Sequence, residues 1–161
     1  MNHSNDISIR RFRESDLDEL VHLISETIGI SYAGVYPPRA VEFLRDFHSE
    51  KKITDRSRTG TTLVVEEDGE LVATGSLVGS EILAMFVHPR LQRGARGTAL
   101  MRALENEARI SGVTKIGLGI SLPSKRFYES LGYKIVQEIS VDVGGGQRLD
   151  FWKAVKQLPA S

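Results

Sequence analysis

The sequence predicts a single α+β domain, in which a mixed central sheet of about seven strands is flanked by about four helices. Length supports this fold class, because a chain of 161 residues is close to the commonest size of one domain. The order of periodic segments supports it too, since they alternate as β-α-α-β-β-β-α-β-α-β-β. No repeat or linker divides the chain, so we expect one domain over residues 1–161 with its core at about 7–156.

The first third of the chain predicts one strand and two helices. Residues 7–12 alternate apolar and polar side chains, which is the period of a half-buried strand. Residues 15–28 open on the Ser-x-x-acid pattern of a helix start and continue with apolar residues at helical spacing, with Gly29 as the expected end. A proline pair at 37–38 opens a second helix, whereas the polar stretch 51–60 is expected to be a loop.

The rest of the chain predicts a strand meander followed by alternating helices and strands. Asp68-Gly69 is a strong signal for a two-residue hairpin turn. A run of three glycines at 144–146 separates the two closing strands. The other predicted elements are the meander strands 61–66, 71–78 and 81–87, the long helix 98–109, the strand 115–120 and the short helix 123–132.

Composition excludes several classes of function. The chain has 21 basic and 21 acidic residues, and a net charge of zero disfavours nucleic acid as the main partner. It contains no cysteine, which excludes disulfides, thiolate metal sites and a cysteine nucleophile. His3, His22 and His48 lack ligand spacing, so no metal is predicted. No apolar run approaches the roughly 18 residues of a membrane span, and the polar start at 1–6 lacks a secretory core, so we expect a cytoplasmic protein with no membrane partner.

The stretch 87–98 joins a predicted strand to a predicted helix and has the features of an anion site. A helix start carries unpaired backbone N–H groups and about half a positive charge, an arrangement that suits a pyrophosphate. Neither the Walker nor the dinucleotide glycine spacing is present. The same residue types also mark ordinary strand-to-helix turns, so both interpretations stay open at this point. Small residues and cations in the stretch are Gly94, Ala95 and Gly97 with Arg93 and Arg96.

Two motifs in this order resemble those of the GCN5-related N-acetyltransferases (the GNAT superfamily). The first resembles the acetyl-CoA-binding core Gln/Arg-x-x-Gly-x-Gly/Ala, and here it reads Val87-x-Pro89-x-x-Gln92-x-x-Ala95-x-Gly97. The second, at 121–133, is similar to the family segment Asn-x-x-Ala-x-x-Phe-Tyr-x-x-x-Gly-Phe/Tyr. The departures are Ala95 at the usual first glycine, Ser121 at the asparagine and Ser124 at the alanine. Counting element order, the resemblance runs from about residue 7 to about residue 156.

The resemblance implies an acetyl-CoA-dependent N-acetyltransferase, in which a primary amine attacks the thioester directly in a ternary complex. In the family, the strand before the loop splays from the next one, and its free backbone groups bind the pantetheine and the thioester. No metal is implied. The residues that the resemblance assigns to acetyl-CoA are Met85, Phe86, Val87, Gln92, Arg93, Gly94, Ala95, Arg96, Gly97, Thr98, Ser121, Ser124 and Tyr128.

The resemblance also supplies candidate catalytic residues. Tyr128 matches the tyrosine that often protonates the coenzyme A thiolate, and with a pKa near 10 a tyrosine stays neutral at pH 7; alternatively its ring only packs beside Phe127. Glu81 matches a glutamate that serves as base in some members, although it is equally consistent with a solvated carboxylate and a water chain as base. We expect His88 to face outward, and Trp152 to be core or pocket wall.

The acceptor, by resemblance, enters between the first two helices and the final strand pair. Four aromatic residues of this region are candidates for the pocket lining: Tyr32, Tyr36, Phe43 and Phe47. For Phe43 and Phe47 we expect instead the buried face of the second helix. The glycines at 144–146 fit either a lid or a tolerant turn. The acceptor is an unidentified small-molecule or peptide amine, and the scarcity of charge near the expected pocket disfavours polyamines.

Other classes of function are weighed against this one. A non-catalytic acyl-CoA-binding or regulatory domain is the alternative, because Ala95 and Ser121 depart from the motifs. An RNA-binding module built on the Arg-Gly stretch at 92–97 is disfavoured by the zero net charge. Family members commonly pair through their late strands, so the resemblance suggests a homodimer, while the residues themselves leave the oligomeric state open.

Overall fold

A mixed seven-stranded sheet with five helices forms the described part of the chain, residues 7–92 and 94–160 of a computed structural model. The predicted α+β domain is confirmed, with one more helix than expected. Residues 1–6, with His3, lie outside the described residues. The strands are β1 Ile7–Arg11, β2 Thr61–Glu67, β3 Glu70–Val78, β4 Glu81–Val87, β5 Lys115–Ser121, β6 Lys134–Gly144 and β7 Gln147–Gln157. The helices are α1 Leu17–Ser31, α2 Pro38–Phe47, α3 Glu50–Thr59, α4 Arg96–Ile110 and α5 Lys125–Ser130.

The sheet has the strand order β1-β2-β3-β4-β5-β7-β6. Only the β4–β5 pair is parallel among the described strands, because α4 carries the chain back between them. Strand alternation divides the core into two layers. Leu63 and Val65 of β2 face α4 and α5, while Val64 between them faces α1, α2 and α3.

The predicted loop at 51–60 is wrong, because this stretch forms α3. Ser49 caps its start by accepting a hydrogen bond from the Lys52 N–H at 3.4 Å. Ile53, the single aliphatic residue of α3, is buried, and Arg56 donates to the Phe47 carbonyl at 3.3 Å. One buried aliphatic residue leaves no apolar period, which is why the polar composition of this stretch suggested a loop.

The first helix also runs further than predicted, since α1 continues past Gly29 to Ser31. Glycine at this position does not end the helix. A Cβ there would lie 2.7 Å from Nη2 of Arg45, so the absence of a side chain lets the guanidinium lie against α1.

Both predicted turns are present. Asp68 and Gly69 have φ values of 52° and 82°, as a type I′ hairpin requires. The glycine tip at 144–146 lies against the start of α2, where the Arg39 N–H donates to Gln147 Oε1 at 2.8 Å. Of the helices that the structure describes, none is long and apolar enough to span a membrane.

Candidate active site

A β-bulge in β4 is the feature that opens the site. Ala84 has φ of 57°, an unusual value for a residue with a side chain, and the β3–β4 register shifts between Thr74 and Ser76. Ala84 and Met85 therefore lie opposite Gly75 alone. A Cβ at Gly75 would come within 2.6 Å of Met85 Sδ, so glycine at this position is what leaves room for the bulge.

Beyond the bulge, β4 separates from β5. The two strands pair only at Glu81–Gly117 and Ile82–Leu118 among the described residues, whereas β5 continues to pair with β7 as far as Ser121–Phe151. Backbone groups of 83–87 on the side of β5 thus have no strand partner within the described chain. This is the splay that the family resemblance implies.

A cavity of about 480 Å³ lies at this splay. It extends from the β4–β5 gap to α2 and the final strand pair. Six of the residues assigned from the sequence meet here, whereas Val87 and the described loop residues lie away from the lining. The lining residues are Tyr32, Tyr36, Phe43, Leu44, Phe47, His48, Glu81, Ile82, Leu83, Ala84, Met85, Phe86, Leu118, Gly119, Ser121, Ser124, Tyr128, Ile139, Val141, Leu149, Phe151 and Lys153.

Tyr128 projects from α5 into this cavity and is only 7% exposed. The rings of Phe127 and Tyr133 lie edge-on to it at 5.0 and 6.0 Å. Burial, followed by the proximity of Tyr32, raises the pKa of Tyr128, so the phenol is protonated at neutral pH. Its hydroxyl makes no hydrogen bond to any described residue. It is therefore available as a donor to a bound molecule.

A chain of hydroxyl groups lies beside Tyr128. Ser121 and Ser124 share a hydrogen bond between their Oγ atoms at 2.8 Å, and the Tyr32 hydroxyl donates to Ser121 Oγ at 3.2 Å. Tyr36 accepts from the Leu122 N–H at 2.9 Å. Two tyrosines from the connection between α1 and α2 thus hold the turn that leads into α5, a link that sequence spacing does not reveal.

The backbone of the loop before α4 accommodates Ala95, which stands where the family has glycine. Ala95 has φ of −79° and ψ of 2°, so its side chain costs no left-handed strain at the position where the family has glycine. Gly94 is exposed, but Gly97 is buried, and a Cβ there would lie 3.2 Å from Phe127 Cζ. Gly97, which has no side chain, therefore lets α4 pack closely against α5. Arg93 lies outside the described residues.

Side chains of the loop hold it in place. Gln92 Nε2 donates to the Val87 carbonyl at 3.1 Å and to Ser31 Oγ at 3.0 Å. Arg96 forms two hydrogen bonds with the carboxylate of Glu67. Among the described residues, no side chain caps the start of α4 at Ala95, so none satisfies its first backbone N–H groups, up to Thr98.

Comparison with known proteins agrees with the two motifs. A family model described as an acetyltransferase (GNAT) domain matches residues 58–135, which include both motifs. Residues 58–135 are therefore those of a GNAT acetyltransferase domain. No curated protein sequence matches the chain.

Several solved structures share the GNAT fold. A GCN5-related N-acetyltransferase from Rhodopseudomonas palustris superposes with a TM-score of 0.85 at 24% identity, over 98% of this chain and 100% of that one. PaiA N-acetyltransferase from Thermoplasma acidophilum, in complex with coenzyme A, gives 0.77 at 20% identity, over 95% and 99%. YncA from Salmonella typhimurium, with its cofactor acetyl-CoA, gives 0.67 at 22% identity, over 96% and 95%. Coenzyme A or acetyl-CoA is thus bound in two of these structures.

The part of the cavity where the resemblance predicts the acceptor differs from the sequence prediction. Phe43 and Phe47 do not form the buried face of α2, because they are 40% and 43% exposed and line the cavity. Their rings stack at 6.5 Å with an interplanar angle of 10°. Ala40 and Val41 make the core contact of α2 instead. The helix lies at the rim, so its small residues face the core and its aromatic residues face the cavity.

His48 is a cavity residue that the sequence did not single out. It is 9% exposed, and its ring lies edge-on to Phe47 at 5.1 Å and to Phe86 at 4.9 Å. Burial, and then the charge of Arg56, lowers the pKa of His48 to about 3, so the imidazole is neutral at physiological pH. Its Nδ1 is buried without a hydrogen-bond partner in the described chain. Its place between two aromatic rings arises only from the fold.

The other residues predicted from the sequence lie at the rim of the cavity or outside its lining. Glu81 is exposed at the cavity rim, which is consistent with both sequence interpretations. His88 is half-buried rather than outward-facing, since its side chain is 20% exposed. Its Nδ1 accepts a hydrogen bond from the Arg90 N–H at 3.3 Å. Trp152 packs partly buried against the core, as one of its two interpretations predicted.

Proposed function

We propose that this protein is an acetyl-CoA-dependent N-acetyltransferase, which transfers an acetyl group to a primary amine by direct attack in a ternary complex. One observation carries the proposal. The gap between β4 and β5 opens into a cavity that holds the Tyr128 hydroxyl on one side and the bulged strand at Met85 and Phe86 on the other. This supplies a donor and an unpaired strand edge within one space.

Cofactor binding rests on backbone groups. The open edge at Met85, Phe86 and Val87 has strand N–H and C=O groups that fit the amides of pantetheine. The start of α4 fits a pyrophosphate through the N–H groups of Ala95, Arg96, Gly97 and Thr98. The family resemblance adds Gln92, Arg93 and Gly94, of which Gly94 already donates its N–H to the Leu91 carbonyl at 3.2 Å. Bound in this way, acetyl-CoA would supply an activated acyl group at the open edge of β4. Ser121 and Ser124 lie at and just beyond the end of β5, across the gap from this edge, and their hydroxyl groups fit the pantetheine.

The residues of the chain handle the protons of this reaction. The C–S bond breaks while a C–N bond forms, so one proton must leave the amine and one must reach the sulfur. Tyr128 donates to the leaving sulfur. Glu81, at the rim, takes the amine proton directly or through water. Backbone N–H groups of the open β4 edge donate to the thioester oxygen.

Calorimetry with acetyl-CoA, followed by a free-thiol assay over a panel of amines, tests the proposal. Saturable binding together with amine-dependent thiol release supports it. Binding without release from any amine would indicate the alternative, a non-catalytic acyl-CoA-binding domain. Absence of binding would overturn both.

Two further proposals come from the sequence, the first from its residues and the second from the family resemblance. We propose a cytoplasmic protein, and a homodimer formed through the late strands. Light scattering on the purified chain tests the second, and a monomer at micromolar concentration would contradict it.

A further inference from the structure

We infer that the acceptor is a primary amine on an uncharged aromatic or alkyl body, and this inference rests on the proposed acetyl transfer. The geometry that points to it is a continuous line of rings, Phe43, Phe47, His48 and Phe86, which we name the aromatic row. It begins at the exposed mouth of the cavity and ends at the bulged strand.

Successive rings of the aromatic row lie in contact with one another. Successive ring centroids are 6.5, 5.1 and 4.9 Å apart from Phe43 to Phe86. Its two outer rings are exposed although they are large and apolar. An apolar body laid along them would remove this surface from water, and such burial is the main source of affinity in small-molecule pockets. The row leads inward to Phe86, beside the unpaired edge of β4.

The inner part of the cavity carries no charge among its described lining residues. Tyr32, Tyr36 and Tyr128 are neutral phenols, because burial raises the pKa of each. His48 is a neutral imidazole at physiological pH. A second charge on the acceptor would lose its hydration here without gaining a partner.

The charges of the described lining are at the margins. Glu81 and Lys153 are the carboxylate and the ammonium among these residues, and both side chains are exposed. Glu81 matches one ammonium group of an incoming acceptor, but no second carboxylate is present in the described lining for a diamine or polyamine. Among the described lining residues, Lys153 is the one cation that could pair with the carboxylate of an amino acid, and its side chain is exposed to solvent.

Initial-rate kinetics with acetyl-CoA test this inference. We expect kcat/KM for 2-phenylethylamine to exceed that for spermidine, for L-lysine and for a tetra-alanine peptide by about tenfold or more, the discrimination that a shaped apolar pocket achieves. Phe47→Ala should raise KM for 2-phenylethylamine by about tenfold while leaving kcat and the affinity for acetyl-CoA unchanged. Ile110→Ala, at an exposed apolar position outside the lining, is the matched control and should match the wild type.

A reversal variant separates recognition from loss of packing. Phe43→Glu places a second carboxylate at the mouth, so it should lower kcat/KM for 2-phenylethylamine and raise it for 1,5-diaminopentane. A damaged fold would lower both.

The outcomes distinguish a failure of the acceptor class from a failure of the proposed acetyl transfer. Turnover that is fastest with spermidine, the amino acid or the peptide would overturn the acceptor class alone, as would an unchanged preference in both phenylalanine variants. Binding of acetyl-CoA without turnover of any amine would overturn the proposed transfer, and the acceptor class with it.

Discussion

Arg96 and Glu67 form a two-point ion pair, in which Nε and Nη2 of the arginine each lie 2.7 Å from a different carboxylate oxygen. Arg96 is the first residue of α4, where a cation opposes the helix dipole. Glu67, buried at the end of β2, compensates for this position. The pair therefore ties the loop to the sheet and commits the guanidinium to the protein rather than to a ligand.

From this pair we predict that Arg96→Gln lowers the melting temperature while changing the affinity for coenzyme A by less than about threefold, since backbone N–H groups would bind the pyrophosphate. Thermal unfolding and calorimetry measure the two effects. Arg90→Gln is the control, because the Arg90–Glu70 pair is exposed and such pairs contribute little. A large loss of affinity in Arg96→Gln would mean that the guanidinium itself contacts the phosphates.

Tyr128→Phe is expected to lower kcat by about a hundredfold or more, the range of general acid catalysis, with an unchanged dissociation constant for acetyl-CoA. Removing the hydroxyl leaves the ring and its contacts with Phe127 and Tyr133 in place. Single-turnover thiol release and calorimetry provide the measurements.

The control for this variant is Tyr133→Phe. That hydroxyl donates to Glu105 at 2.7 Å, outside the cavity lining, so its loss should cost stability of about 1–3 kcal/mol and leave kcat unchanged. Full activity of Tyr128→Phe with every amine would exclude the tyrosine as general acid.

Sequence reasoning predicted the loop before α4 and the splay of β4 from β5 but not the cavity lining on α2, for a physical reason. Acetyl-CoA is expected to bind to backbone groups, and the motifs around Gln92 and Tyr128 report on the local backbone that presents them. Phe43 and Phe47 were assigned to the core because helical periodicity identifies an apolar face without showing what it faces. His48 and the Tyr32–Ser121 contact come from residues far apart in the chain, so only the fold reveals them. Likewise α3 has one buried aliphatic residue, Ile53, and is held mainly by tertiary contact.

His48 should make stability depend on pH. Its folded pKa of about 3 lies below the ordinary 6.5, so the unfolded chain binds a proton in this range and the folded chain does not. The stabilisation is complete above pH 6.5 and is lost as the pH falls toward 3. We expect His48 to add a slope approaching about 1.4 kcal/mol per pH unit to the free energy of unfolding between these values.

Denaturant unfolding at a series of pH values measures this slope. His48→Phe should reduce it by the contribution of one titrating group, about 1.4 kcal/mol per pH unit. His22→Phe, at an exposed position of α1, is the matched control and should keep the wild-type slope. An equal slope in wild type and His48→Phe would show that the buried imidazole is not the group that titrates.

Gly75 is the residue on which the open strand edge depends, so Gly75→Ala should impair both stability and cofactor binding. The new Cβ would lie 2.6 Å from Met85 Sδ and 2.8 Å from Leu104 Cδ1, closer than atoms pack. Overpacking of this kind costs about 1–3 kcal/mol, more than the about 0.4–1 kcal/mol gained by restricting the unfolded chain.

Relief of this clash requires Met85 to move, and Met85 belongs to the bulge that separates β4 from β5. We therefore expect a weaker affinity for acetyl-CoA together with the lower stability, measured by calorimetry and denaturant unfolding. Gly117→Ala is the matched control on β5, because its Cβ would meet only the Ala154 carbonyl oxygen, at 3.9 Å. Should Gly75→Ala lose stability but bind acetyl-CoA normally, the bulge would not be what positions the cofactor edge.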